Sequence, residues 1–259
     1  MSAGDLPAGL QGFDLTGRVA VVTGASSGLG AGLARALASV GARVALVARR
    51  RDRLDDLAGE IDGLAVECDL LDADQVAAVV PRVVDRLGLP EILVNAAGNI
   101  FSREPAEHEA LGDLRSTLDL NLVAPFLLAQ AAQPHMVELG RGAIVNIASI
   151  GGIVGVPGIP QASYAAAKAG LSGLTVELAG QGARHSIRVN TVAPGFFRSE
   201  ITDSLYDDEK GRAWLARNTP LPGDGTVDDL LGAVLWLVSD AGRYVTGRTV
   251  GVAGGWTAR

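Results

Sequence analysis

Val19-Ala20-Val21-Val22-Thr23 leads straight into Gly24-Ala25-Ser26-Ser27-Gly28-Leu29-Gly30, and an Ala/Leu-rich stretch follows. The first run is β-branched and apolar with no polar alternation, as in a strand covered on both faces. The glycines, spaced Gly-x3-Gly-x-Gly rather than Gly-x-Gly-x-x-Gly, let the backbone turn tightly and come close to a pyrophosphate. The start of the following helix offers unpaired N–H groups and a positive dipole end to the same anion. A glycine turn that only lets a helix pack on its strand would use the same letters. Its place between a strand and a helix favours the phosphate loop, formed by Gly24, Ser26, Ser27, Gly28, Leu29 and Gly30.

The same alternation repeats outward from this unit. Further short apolar runs lie at Val44–Val47, Leu64–Cys68, Ile92–Asn95, Ala143–Ala148, Ile187–Val192 and Thr249–Val252. Between them the pattern predicts helices near 29–40, 52–60, 72–87, 113–138, 163–182 and 227–239. Buried strands alternating with helices imply one α/β domain, a Rossmann-type doubly wound parallel sheet, spanning 15–259. Residues 1–14 read as a loose leader. The stretch 196–225 has no strand character and is long for a plain connection, so it is expected to be a substrate lid. Its middle, Tyr206-Asp207-Asp208-Glu209-Lys210-Gly211-Arg212, is charged and offers little apolar surface to bury.

Composition narrows the function classes. Apolar residues make up 48% of the 259 and charged residues 20%, so a full core is expected rather than disorder. The net charge of −7 comes with no long basic run, which argues against nucleic acid or an anionic membrane as partner. Cys68 is the lone cysteine, so no intrachain disulfide exists. His108, His135 and His185 lie far apart, without metal-ligand spacing, and no metal is expected. The start lacks a basic segment followed by an apolar core, and no run of about 18 apolar residues occurs. The default compartment is the cytoplasm.

The end of the second strand bears on the cofactor. An acid there would bind ribose hydroxyls; here the chain reads Val47-Ala48-Arg49-Arg50-Arg51. A fixed guanidinium suits a 2′-phosphate, so Arg49 points to NADP(H). Arg50 and Arg51 read equally well as a solvated cluster opening the next helix.

Together with the glycine loop, Asn95-Ala96-Ala97-Gly98, Ser149 followed by Tyr164-Ala165-Ala166-Ala167-Lys168, and Pro194-Gly195 resemble the short-chain dehydrogenase/reductase family from about Leu15 to Trp256. The resemblance implies a seven-stranded sheet in the order 3-2-1-4-5-6-7, a homotetramer, and Ser149, Tyr164, Lys168 and Asn121 as catalytic residues. Chemistry supports the set. Tyr164 and Lys168, four apart, share a helix face. A free phenol ionises near pH 10, and a nearby ammonium favours the phenolate, making Tyr164 a general acid and base. Ser149, at a strand end, can hydrogen-bond the substrate oxygen. Asn121 lies within an apolar helix, where an Asn often only binds local backbone or water. In the family it holds a water of a proton relay to the lysine.

The resemblance implies further cofactor contacts. Asp69 and Leu70 match the residues beside the adenine, although Asp69 also reads as the N-cap of the 72–87 helix. Asn95, Ala96 and Gly98 match the segment that supports the sheet and lines the ribose. Pro194, Gly195, Phe197 and Ser199, with Tyr164 and Lys168, match the nicotinamide end. Two departures stand out: fifteen residues separate Ser149 from Tyr164 where about thirteen are usual, and Ala253 stands where Asp is common. The implied activity is hydride transfer between NADP(H) and a ketone or secondary alcohol of small size. The alternatives are an NAD(H)-dependent sugar-acid dehydrogenase of gluconate type, suggested by Leu15-Thr16-Gly17-Arg18-Val19-Ala20, and a non-catalytic cofactor binder on the same fold. The intact Ser149, Tyr164, Lys168 and Asn121 set speaks against the last.

Overall fold

Alternate residues of β1 (Val19–Thr23) serve opposite faces of the sheet: Ala20 and Val22 join one apolar cluster, Val19 and Val21 the other. A strand covered on both faces requires helices on both, which dictates three layers. The computed structural model describes residues 8–200 and 202–258. In it, β2 (Arg43–Ala48), β3 (Leu64–Glu67), β4 (Pro90–Asn95), β5 (Gly142–Ile147), β6 (Ile187–Pro194) and β7 (Thr249–Val252) join β1. The order is β3-β2-β1-β4-β5-β6-β7, parallel throughout, and Val21 sits opposite both Ala45 and Leu93. This is the doubly wound sheet expected, with each strand within a few residues of its expected span.

One face is covered by α1 (Gly28–Ser39), α2 (Arg51–Ile61) and α9 (Val227–Val238), the other by α3 (Ala73–Leu87), α5 (Ala124–Leu139) and α6 (Ala162–Gly182). The single helix expected over 113–138 is instead α4 (Leu111–Leu118), one wide π turn at Asp119–Val123, and α5. No helix among the described residues is long and apolar enough to cross a membrane.

Residues 1–7 of the expected leader lie outside the described residues. From Ala8 the chain is not loose: Ala8–Phe13 forms a short 3-10 helix. It packs on the turn at Asp240–Gly242, closely enough that a side chain on Gly12 would meet Ala241 at 3.3 Å.

In the 196–225 stretch, α7 (Asp203–Asp207) and α8 (Glu209–Asn218) pack chiefly on each other. Phe197 and Gly225 form an isolated bridge that brings the two ends of this stretch together. Ile201 lies outside the described residues. The expectation of little apolar burial in its middle is corrected. Tyr206 is buried and its hydroxyl donates to the Phe196 carbonyl at 2.8 Å, Leu215 is buried, and the rings of Phe196, Trp214 and Trp256 cluster with centroids 5.0 to 5.4 Å apart. Helical folding puts Tyr206 and Leu215 on the inner side while the charges point to water, a separation that a count of charges along the chain misses.

Candidate active site

The turn after β1 is built for close approach of backbone to backbone. Gly24 has φ +68°, and a Cβ there would sit 2.9 Å from the Ala97 backbone; one on Gly30 would sit 2.3 Å from the Gly24 carbonyl. Only glycine lets the start of α1 settle onto the loop. The Thr23 hydroxyl accepts from the amides of Ala96 (3.0 Å) and Ala97 (3.1 Å), locking the loop to the segment after β4. Ser27 occupies the N-cap position of α1 without capping it, so the first-turn N–H groups receive no side-chain cap from that residue. Gly24, Ser26, Ser27, Gly28, Leu29 and Gly30 all line one cleft of about 370 Å³, with Asp69, Leu70, Ala96 and Gly98 on its other walls. These residues fit a dinucleotide.

The three arginines after β2 have separate fates. Arg49 is exposed and lines the cleft. Arg51 pairs with Asp55, one helical turn on, at 2.8 Å. Arg50, which the sequence left as a solvated residue, reaches back over the glycine loop. Its guanidinium donates to Ser26 Oγ (2.9 and 3.1 Å), Ser27 Oγ (2.6 Å) and Glu200 Oε1 (2.9 Å). Neither Arg50 nor Glu200 carried a motif; a second Arg beside Arg49 was the one signal.

Two softer expectations need correction. The cap of α3 is Asp72, which accepts from the amides of Asp74 (3.0 Å) and Gln75 (3.2 Å); Asp69 lies outside the helix and accepts from the Leu71 amide. Asn95 faces the interior, not the cleft. Its Nδ2 donates to Asn146 Oδ1 at 2.8 Å, and Asn146 continues to Thr175, so it braces β4 against β5 and α6.

The far end of the cleft opens into a smaller pocket of about 120 Å³; Leu29, Ala96, Gly98 and Ser199 line both. Ser149, Tyr164 and Lys168 meet in this pocket, with Pro194, Gly195 and Phe197 on its opposite wall. Ser149 begins the turn after β5, its Oγ accepting from the Gly151 amide at 3.1 Å, and lines the pocket beside Tyr164. Tyr164 and Lys168 come from one face of α6, as their spacing requires, with Lys168 Nζ 5.5 Å from the phenol ring centre. Nζ donates to the Ile147 carbonyl at 2.9 Å. Asn121 sits in the π turn, fully buried. Its Nδ2 donates to the carbonyls of Thr117 (2.8 Å) and Asn99 (2.9 Å), which leaves its buried Oδ1 without a protein partner. A Cβ on Gly98 would lie 2.9 Å from that oxygen and 3.2 Å from Lys168 Nζ, so glycine there keeps the two groups in a common space. The π turn, a feature frequent at functional sites, sets the Asn at this depth.

Sequence reasoning missed Arg103 and Gln161, which also line the pocket. Ser163, next to Tyr164, makes a short hydrogen bond to Glu109 and ties the start of α6 to the same long connection after β4 that bears Arg103. No spacing relative to a motif marks these side chains.

Electrostatics corrects the simple picture of an ammonium lowering the phenol. Burial pushes the Tyr164 phenol up to about 12, against the pull of the Ser149 hydroxyl and the Arg103 charge. Burial also pushes Lys168 down, to about 7. Both groups are therefore held towards their neutral forms, the direction desolvation imposes on any buried ionisable group. A fixed positive charge added close by would reverse the phenol's shift.

Known proteins resemble the chain over nearly its whole length. The family model described as enoyl-(acyl carrier protein) reductase matches residues 24–257. The chain is 38% identical over 250 residues to gluconate 5-dehydrogenase of Gluconobacter oxydans (strain 621H), covering 95% of this chain and 96% of that one. It is similar to a crystal structure of a short-chain type dehydrogenase/reductase from Mycobacterium marinum, with TM-score 0.91, 36% identity and coverage of 96% and 99%. A gluconate 5-dehydrogenase from Burkholderia cenocepacia J2315, crystallised with NADP and tartrate, superposes with TM-score 0.91 at 35% identity, covering 97% and 99%. Matched by the family model over nearly its whole length and by relatives at 35 to 38% identity, the chain belongs to the short-chain dehydrogenase/reductase family of oxidoreductases.

Proposed function

We propose that this oxidoreductase interconverts a ketone and a secondary alcohol with NADP(H), using Tyr164 as general acid and base. The observation that carries it is the meeting of Ser149, Tyr164 and Lys168 where the long cleft opens into the pocket. The glycine loop would hold the pyrophosphate, Arg49 the 2′-phosphate, Asp69 and Leu70 the adenine, and the strip from Pro194 through Phe197 to Ser199 the nicotinamide end. When bound, the dinucleotide supplies the hydride and, in its oxidised form, a positive charge. Ser149 orients the substrate oxygen, and Tyr164 gives a proton to it or takes one from it. Lys168, anchored on Ile147, and Asn121, with its free oxygen, position the phenol and lead its proton towards solvent. The missing acid at the end of β2 supports NADP(H), as does the NADP in the Burkholderia relative.

The pocket is walled by Ile100, Val156, Ile159 and Leu205, with Arg103 and Gln161 as its polar handles. Arg103, whose charge reaches Tyr164, favours a substrate with an anionic or polyhydroxylated end. The tartrate in the Burkholderia crystal and the gluconate in both relatives' names are of that chemistry. The stretch 196–225 serves as a lid, its two ends joined by the bridge between Phe197 and Gly225. Closure would exclude water from the pocket. Exposed Val123, Phe126 and Val176 supply apolar surface for self-association, in keeping with a homotetramer in the cytoplasm.

Replacing Tyr164 by Phe tests the central claim, since the ring stays and the ionisable oxygen goes. Turnover should fall by about 10²–10⁴, the range for a lost acid–base group, with cofactor affinity little changed. Near-wild-type turnover would remove Tyr164 from the chemistry.

A further inference from the structure

Glu200 follows Ser199 at the root of the lid and lines the cofactor cleft with Arg49 and Arg50. Its Oε1 accepts from Arg50 Nη1 at 2.9 Å and from Arg53 Nη1 at 3.0 Å, spanning from the lid root to the start of α2. Arg51 is occupied by Asp55, so Glu200 is the carboxylate that neutralises the cationic corner formed by Arg50 and Arg53. The other edge of the Arg50 guanidinium is spent on the hydroxyls of Ser26 and Ser27. Because both hydroxyls accept from Arg50, their own hydrogens point elsewhere, free to donate to an anion on the loop.

We propose that Glu200 is an internal competitor for the cofactor's 2′-phosphate, which holds Arg50 and Arg53 and thereby lowers the preference for NADP(H) over NAD(H). The proposal rests on the NADP(H) reading above and adds a specificity-determining residue to it. A 2′-phosphate held by Arg49 would draw on the neighbouring guanidinium of Arg50, which lines the same cleft. A bare ribose hydroxyl makes no such demand and leaves Glu200 in place. The exchange is easy, since the Glu200 side chain is 57% exposed and an exposed ion pair is weak and screened by salt. Glu200 also brings a negative charge towards the incoming phosphate, a repulsion that a non-phosphorylated cofactor does not feel. Its consequence is a cofactor held loosely enough to leave after turnover.

The test is Glu200→Gln in the full chain, with dissociation constants for NADPH and NADH measured by fluorescence titration at low and high salt. Glutamine keeps the size and one acceptor while removing the charge. The ratio of the NADH to the NADPH constant should rise by about three- to fivefold, the scale of one exposed ion pair, and the gain should shrink at high salt. The gain should also vanish when Glu200→Gln is combined with Arg50→Ala. If both cofactors weaken together, Glu200 is a clasp for any dinucleotide and the proposal is wrong; an unchanged ratio overturns it equally. The wild-type ratio answers a separate question. A native preference for NADH would reject the NADP(H) reading, whereas the shift on charge removal still decides the role of Glu200.

Discussion

The floor of the cleft and the segment over it hold their residues by different forces. Gly24, Gly30 and Gly98 stand where an added Cβ would come within 2.3 to 2.9 Å of its nearest neighbour, and Asn121 and Lys168 are held by buried hydrogen bonds to carbonyls. In the 196–225 stretch the links to the rest of the molecule include exposed ion pairs, Glu200 to Arg50 and Arg53, beside an aromatic cluster, the buried Phe197 and a backbone bond from Leu221 to Gly254. Close-packed backbone has no alternative arrangement at small cost, whereas an exposed ion pair can exchange its partner for water or a phosphate. The floor is thus suited to fixing atoms for proton transfer, and the overlying segment to admitting and releasing what is bound.

The sharpest way to break this contrast is hydrogen exchange. Amides in β1, β4 and β5 should exchange only on global opening, and those of α7 and α8 by local opening, faster by a factor of about 10³ or more. NADP(H) with a substrate analogue should slow the second group alone. Equal protection of the two regions in the free enzyme would make 196–225 a fixed part of the body, held by Tyr206, Leu215 and Trp214.

Arg49→Ala probes the rim between the two regions. Losing a charge-assisted contact to a phosphate should weaken NADPH by about 1.5–3 kcal/mol and leave NADH nearly unchanged. Equal losses for both cofactors would sink the assignment of the 2′-phosphate to Arg49.

A last test concerns Lys168 on the floor. Its folded value of about 7 lies below the 10.5 of an ordinary lysine. Between these values the unfolded chain carries the extra proton, so stability should rise with pH from about 7 towards 10, by at most about 1.4 kcal/mol per unit. Tyr164, shifted from 10 to about 12, acts in the opposite sense only above pH 10. Denaturant unfolding of the cofactor-free Lys168→Met variant at pH 7 and 9.5 should lose this rise. If the slope persists, Lys168 titrates normally and its burial has no electrostatic cost.

Much of the floor was legible beforehand. The Gly-x3-Gly-x-Gly loop and the Tyr164–Lys168 spacing each encode a local geometry, one because only glycine tolerates the contact, the other because helix periodicity places residues four apart on one face. Other features were hidden. The π turn breaks the 113–138 helix at a point where composition remains helical, since the Asn121 side chain takes up the Thr117 carbonyl. Asp72 rather than Asp69 caps α3, a choice between two similar acids three residues apart. Asn95 turned inward because β5 presents Asn146 beside it, a partner 51 residues away.

By itself, then, the order of apolar runs and glycines determined the three-layer parallel architecture and its cleft at the strand ends, and helix spacing set Tyr164 and Lys168 on one face. These rest on periodicity and on steric limits that act within a few residues of chain. Only the tertiary structure decided which arginine lies over the phosphate loop, that Glu200 engages it across 150 residues, and that Arg103 and Gln161 complete the pocket. Long flexible side chains carry no periodic signal, and their partners are chosen by what the fold brings within about 3 Å of their charged ends.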